Sequence, residues 1–224
     1  MSIQMIKKWK ERKQIAPLHL SIVFAFITVA IIILTIGLAE AAITGYYKEV
    51  YRLSLPLAYT MVVIANVFLY LFASNITNKG KNAFIPIVLI GLVLIVIFFL
   101  PWNWWGVPPE DYAGELNIRL YTNIAFIAFS YVIYITIAII CHDTKKKTDD
   151  PIARSGLKLL MYSMISLIFY FLMILCDNVM IVLYNHPGYS EFIYVAWIFA
   201  IVFYILIYLS LVMPEWLIKR IKDD

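Results

Sequence analysis

The sequence predicts an all-α fold, a polytopic membrane bundle of six transmembrane helices forming a single domain over residues 1–224. Hydrophobic residues make up 63% of the chain and charged residues only 14%, against about 25% charged residues in soluble domains. Six apolar segments are each long enough to cross a hydrocarbon core of about 30 Å. Uninterrupted runs of this length favour helices over barrel strands, because a helix satisfies its own backbone hydrogen bonds in lipid. The six spans are predicted at 17–43, 53–76, 83–104, 120–141, 157–185 and 191–213.

The first three spans are strongly apolar and carry few polar groups at depth. The second contains Asn66, which we interpret as an interhelical hydrogen-bonding residue. Pro56 and Pro86 fall near the predicted helix starts, where proline is tolerated, so no broken helix is indicated. The third span leads into the longest connection between spans, 101–119, whose tryptophans either cap the bundle as a lid or lie in the membrane interface. The interface position is the favoured interpretation.

The fifth span contains an Asp-Asn pair, Asp177 and Asn178, in an otherwise apolar run, "FLMILCDNVMIVLY". Asp177 lies 20 residues after Leu157, which is about 30 Å along a helix. This depth places the carboxylate near the outer edge of the hydrocarbon. We therefore expect it to reach the outer interface or a polar cavity there.

The distribution of basic residues predicts the orientation. Fifteen of the 18 lysines and arginines fall in residues 1–16, 77–82, 142–158 and the C-terminal tail, and three fall on the other side. Basic residues favour the cytoplasmic side. We therefore expect a cell-membrane location with both termini cytoplasmic. The net charge of +4 is explained by topology and does not indicate a nucleic-acid partner.

Both ends of the chain are predicted to form short amphipathic helices. "SIQMIKKWKERK" and "PEWLIKRIKDD" each place apolar residues and a tryptophan at helical spacing among basic residues. Such helices lie in the headgroup plane and meet anionic lipid. The bilayer is thus an expected partner. The alternative is that the tail docks a cytoplasmic partner.

Charged residues at the outer helix ends form the candidate site. Two interpretations compete: an aromatic belt with charges that extend to water, and a ligand pocket open to the outside, because ionisable residues within a membrane are often functional. The candidate ligand-binding residues are Glu40, Arg52, Trp104, Trp105, Arg119, Asp177, Asn178 and Glu191.

No catalytic or cofactor-binding pattern is visible. The three histidines are not paired at matched depth, which argues against axial ligation of a haem. The sequence contains no HExxH, P-loop or GxSxG pattern and no Cys/His cluster. We therefore expect no enzyme activity, no cofactor and no metal site.

Several motifs together resemble a known family. These are "LAEAAITGYYKEVYRLSLPL", then "VIANVFLYLF" ending in the basic turn "TNKGKN", then "CHDTKKKTDDPIARSGLKLLMYSMI", and finally "YILIYLSLVMPEWLIKRI" with its Pro-x-Trp-Leu ending. The arrangement is similar to the seven-helix membrane sensor module at the N-terminus of prokaryotic histidine kinases. Six helices are predicted here, without that family's first helix and without an output domain.

The resemblance implies a receptor-like sensory module that signals through a separate partner, contacted at 142–158 or the tail. Two alternatives stay open. One is a structural or accessory subunit of a membrane complex, and the other is a small-solute transporter subunit, which would require a polar path or broken helices at the midplane.

Overall fold

The structure is a computed structural model, and it describes residues 15–44, 49–77, 80–107, 109–184 and 190–223, together with Ile3, Ile6 and Lys10. In these ranges the helices are joined by turns and irregular segments, and no residue is in a β-strand. The α-helices are α1 (Ile15–Thr44), α2 (Glu49–Thr77), α3 (Phe84–Phe98), α4 (Arg119–Lys146), α5 (Pro151–Leu183), α6 (Glu191–Val212) and α7 (Glu215–Asp223). Six of them, α1 to α6, are long and apolar enough to cross a membrane, as the sequence predicts. The predicted N-terminal amphipathic helix lies largely outside the described residues, whereas the C-terminal one is present as α7.

The third predicted span, 83–104, is too long. Helix α3 ends at Phe98, and a short 3-10 turn follows at Pro101–Asn103. The cause is Pro101, because the residue before a proline is disfavoured in the helical region. Leu100 is accordingly extended, with ψ 139°.

Helices α2 and α5 begin four and six residues earlier than predicted. Helix α2 starts at Glu49, so Pro56 lies inside it rather than near its start. Helix α5 starts at Pro151, where the Asp150 side chain accepts hydrogen bonds from the backbone N–H groups of Ile152 and Ala153. Both extensions are polar turns that continue an apolar span.

The chain forms two compact units, Met1–Ser130 and Tyr131–Asp224. In the first unit α1 packs closely along α2. The position of a Cβ added at Gly37 would overlap Ser54 Oγ and would lie 3.2 Å from Tyr51 Cα. At the far end of the pair, the Asn75 amide and the His19 ring are hydrogen-bonded at 3.1 Å.

Helix α4 is joined to α2 by a buried polar contact in this first unit. Asn66 Nδ2 donates to Ser130 Oγ at 3.0 Å, and both residues are buried. This bond confirms the interpretation of Asn66 as an interhelical residue.

In the second unit α5 and α6 form a helical hairpin with polar contacts along its length. Ser166 Oγ donates to the carbonyl oxygen of Phe199 at 2.7 Å, and Ser210 Oγ donates to that of Gly156 at 2.8 Å. The buried stripe of α6 consists of Ala196, Ala200, Phe203 and Ile207. The small side chains of Ala196 and Ala200 favour a close approach of α6 to α5.

Candidate functional site

Trp105 lies at the centre of a folded segment between α3 and α4. Two residues with positive φ shape the chain there, Trp104 (φ 49°, ψ 44°) and Gly106 (φ 65°). A left-handed conformation is unusual for a bulky residue, and one side-chain and one backbone hydrogen bond hold the segment here. The Trp104 indole N–H donates to the carbonyl oxygen of Leu116 at 2.7 Å, and Ile118 N donates to that of Trp102 at 2.8 Å.

Trp105 itself is buried, with 6% of its surface exposed. Its indole N–H donates to the carbonyl oxygen of Phe98 at 2.8 Å. Its ring meets the Tyr59 ring edge-on at a centroid distance of 5.7 Å, and Tyr59 stacks on Phe126 at 4.9 Å. The favoured interface position is therefore wrong for Trp105, which covers the end of an aromatic cluster, although Trp102 is 46% exposed.

Arg119, the first residue of α4, lies against Trp105. Its guanidinium carbon is 5.6 Å from the centroid of the Trp105 ring, within the range of a cation–π contact. Its Nε is buried and has no hydrogen-bond partner among the described residues. Since a buried donor normally has a partner, this N–H is available to a ligand or a water molecule.

Asn103 supplies a complementary group in the same segment. The residue is fully buried, and its Nδ2 donates to the carbonyl oxygen of Ile97 at 2.6 Å. Its Oδ1 has no partner within the described part of the chain. The bond between Ile118 N and the Trp102 carbonyl joins the chain neighbours of Arg119 and Asn103. An acceptor and a donor without partners in the described ranges thus belong to adjoining stretches of the same segment. We call Trp105, Arg119 and Asn103 the tryptophan–arginine site.

Glu40 and Arg52 lie at the junction of α1 and α2. Glu40 Oε2 accepts a hydrogen bond from Tyr51 N at 3.1 Å, so the carboxylate serves the first turn of α2. Arg52 Nη1 pairs with Glu49 Oε1 at 2.9 Å on the surface, while its Nε is buried with no partner in the described ranges. This second orphaned guanidinium donor belongs to the same unit as the tryptophan–arginine site.

Asp177 is in the second unit and is 2% exposed. Its Oδ1 accepts hydrogen bonds from Ser190 N and Ser190 Oγ, both at 2.7 Å. Ser190 is the N-cap residue of α6, where the helix dipole favours a negative charge. The carboxylate is therefore accommodated by the start of the next helix.

The neighbours of Asp177 are arranged differently. Asn178 is buried, and its Nδ2 donates to the carbonyl oxygen of Ile174 in its own helix at 2.9 Å. Glu191 is exposed at the first position of α6.

Of the eight predicted site residues, the structure brings Trp105 and Arg119 into direct contact, and Trp104 is the chain neighbour of Trp105. Sequence reasoning missed Asn103, Tyr59 and Ser190. A signal for Asn103 was present, because a lone amide within "PWNWWG" is unusually polar for its surroundings. Ser190 had a weaker signal, as a serine immediately before an apolar helical run is a typical N-cap.

Within the described residues, no group of three or more His, Cys, Asp or Glu side chains is arranged to hold a metal ion. Comparison of the chain with protein-family models, with curated proteins and with solved structures finds no match.

Proposed function

We propose that this chain is an integral membrane, receptor-like sensory module that binds a small polar ligand at the tryptophan–arginine site and signals through a partner. The observation that carries the proposal is the buried, unpartnered Nε of Arg119 next to the face of Trp105. A half-buried guanidinium beside an aromatic ring offers a ligand charge, hydrogen bonds and a stacking surface together.

Helix α4 supplies a route for the signal. It begins at Arg119 and ends at Lys146, so a ligand-contacting residue and the basic connection that follows are the two ends of one helix of 28 residues. Its length is about 42 Å, more than the hydrocarbon core requires. A shift of α4 on ligand binding would move the 142–158 segment, where the partner is expected to bind. Such a shift requires a difference in ligand affinity between two states of the protein.

The proposal includes an orientation with both termini in the cytoplasm, supported by the 15-to-3 distribution of basic residues. The test uses a chain whose native Cys141 and Cys176 are replaced by alanine. Single cysteines at Lys147 and Asp111, both exposed, are then labelled in intact cells with a membrane-impermeant maleimide. Labelling of Asp111→Cys alone is expected, and labelling of Lys147→Cys alone would reverse the orientation.

The ligand proposal is tested by thermal unfolding of the purified protein against a library of small polar compounds. A ligand present at 100 times its Kd stabilises the folded state by about 2.7 kcal/mol. We expect a compound that raises the Tm of the parent and of the charge-matched control Lys81→Gln but not of Arg119→Gln. An equal rise in Arg119→Gln would place the binding elsewhere.

The second candidate function, an accessory subunit, is favoured by the surface of α3. About half of its side chains are apolar and exposed, among them Ile85, Leu89, Ile90, Leu92, Val93 and Val96. Such a face suits lipid or the helices of a larger complex. A library without any stabilising compound, together with a stable partner retained through mild solubilisation, would support this function over reception.

A further inference from the structure

The C-terminal helix α7 is set at a fixed place beside the start of α5. Met213 adopts a left-handed conformation (φ 47°, ψ 73°) that ends α6, and α7 begins after Pro214. Ser210 and Gly156 are joined by the hydrogen bond already described. A Cβ added at Gly156 would lie 2.9 Å from Met213 Cε and 3.3 Å from the Ser210 carbonyl oxygen. Helix α7 contacts α5 directly.

The connection between α4 and α5 is folded against the same end of this unit. The Arg154 guanidinium donates from Nε and Nη2 to the carbonyl oxygen of Thr148, at 3.2 and 3.1 Å. The Asp150 carboxylate is occupied by the N-terminal N–H groups of α5. The last turn of α4, the first turns of α5 and helix α7 therefore share one end of the second unit.

Basic side chains are in excess there, with seven of them against four acids in residues 143–158 and 215–220. The basic residues, here named the basic face, are Lys145, Lys146, Lys147, Arg154, Lys158, Lys219 and Arg220. Six of the seven are exposed, and Lys145 is half-buried in the last turn of α4. Among the exposed six, Arg154 uses part of its guanidinium on the carbonyl oxygen of Thr148.

Apolar residues of α7 set the depth of this surface. Trp216 is 58% exposed, at the second position of a helix that starts three residues after α6 ends. A tryptophan at this position, next to an apolar span, belongs at the level of the lipid headgroups. Lys219 and Arg220, one turn further along α7, are also exposed.

We propose that the basic face binds the phosphate-bearing headgroups of anionic phospholipids. Two features favour a lipid over a soluble partner. The basic face is complementary in charge to anionic headgroups. It is also continuous with the apolar surface of α6, so that Trp216 can contact the apolar layer of the leaflet while the basic side chains contact its charged layer. The inference is independent of the ligand site, since every residue that carries it lies in the second unit.

The experiment compares protein in nanodiscs of phosphatidylcholine with protein in nanodiscs that also contain phosphatidylglycerol. The Tm is measured in both, and native mass spectrometry measures the phosphatidylglycerol that stays bound to the protein. The variant is Lys219→Gln with Arg220→Gln, and the charge-matched control is Lys81→Glu, which lowers the net charge by the same amount at an exposed position outside the basic face and outside both predicted amphipathic ends. All three positions are on the surface, and circular dichroism verifies folding.

We expect phosphatidylglycerol to raise the Tm of the parent and the control by several degrees, and that of the variant by less than half as much. Retained phosphatidylglycerol should fall at least twofold in the variant alone. Equal responses of variant and control would overturn the proposal in favour of diffuse charge attraction. A full response of the parent to soluble glycerol phosphate would also overturn it, since a membrane surface would then not be required.

Discussion

Arg119 and Asp177 are both charged residues near a helix end, one in each unit, and the structure treats them in opposite ways. Asp177 is 2% exposed and accepts two hydrogen bonds of 2.7 Å from the N-cap of the next helix. Arg119 is half-buried against Trp105, with its Nε buried and unpartnered within the described ranges. The Asp177 carboxylate is hydrogen-bonded within the protein, whereas the Arg119 guanidinium has a buried N–H donor without a partner in the described residues.

The contrast shows that burial of a charge near a membrane helix end does not by itself mark a functional site. Glu40 falls between the two cases, since it is half-buried and accepts one hydrogen bond of 3.1 Å from the start of α2. A carboxylate that serves the next helix start is thus found in both units. The residue with unmet hydrogen-bonding capacity is the better candidate for binding a ligand.

The largest effect is expected from Asp177→Ala. This change leaves the Ser190 N–H and hydroxyl without their acceptor in a buried setting, and we expect a loss of about 3 kcal/mol in the free energy of unfolding. Denaturant unfolding in micelles measures it. Glu191→Ala, at an exposed position in the first turn of α6, is the control and should change stability by less than about 1 kcal/mol. A loss no larger than that of the control would mean that Asp177 is not a structural residue.

The next prediction compares the packing of the α1–α2 pair with that of the α5–α6 pair, and its expected effect is smaller. At Gly37 an added Cβ meets Ser54 and the backbone Cα of Tyr51, whereas at Gly156 it first meets the flexible end of Met213. Gly37→Ala should therefore lower the free energy of unfolding by about 2 kcal/mol, within the range of overpacking. Gly156→Ala should lower it by less in the same unfolding experiment. A larger loss from Gly156→Ala than from Gly37→Ala would show that α1 and α2 can move apart without a loss of stability.

The smallest effects are expected at the partly exposed groups. Arg119→Gln removes a cation–π contact worth about 1 kcal/mol and also removes a buried donor without a partner, so the net change in stability should be below about 1 kcal/mol. Glu40→Gln should be similarly mild, since the amide oxygen still accepts from Tyr51 N. A loss from Arg119→Gln as large as that from Asp177→Ala would make Arg119 a structural residue.

The sequence predicts the six spans because each is a long apolar run, but it predicts their ends less well. The apolar run of the fifth span predicts a start at 157, although Asp150 and Pro151 form an N-cap and first-turn pair typical of a helix start. Similarly, Leu100, Trp102 and Trp104 are apolar enough to extend the third span beyond the point where Pro101 ends the helix.

The site is less predictable because it depends on distant contacts. The predicted span ends place Trp105 and Arg119 at one level, but their contact requires the folding of the intervening segment around Trp104 and Gly106. Asp177 and Ser190 lie 13 residues apart across a connection, and no periodicity relates them. A charge in an apolar run indicates that a partner is needed, without indicating whether that partner is a ligand or the protein itself.

The most direct test of ligand binding at the tryptophan–arginine site is the equilibrium dissociation constant of a stabilising compound from the library screen. It is measured for the parent, Arg119→Gln and Asp177→Asn at a temperature where all three are folded. We predict at least a tenfold rise in Kd for Arg119→Gln and an unchanged Kd for Asp177→Asn. An unchanged Kd for Arg119→Gln with a loss of binding in Asp177→Asn would contradict the account and move the site to the second unit.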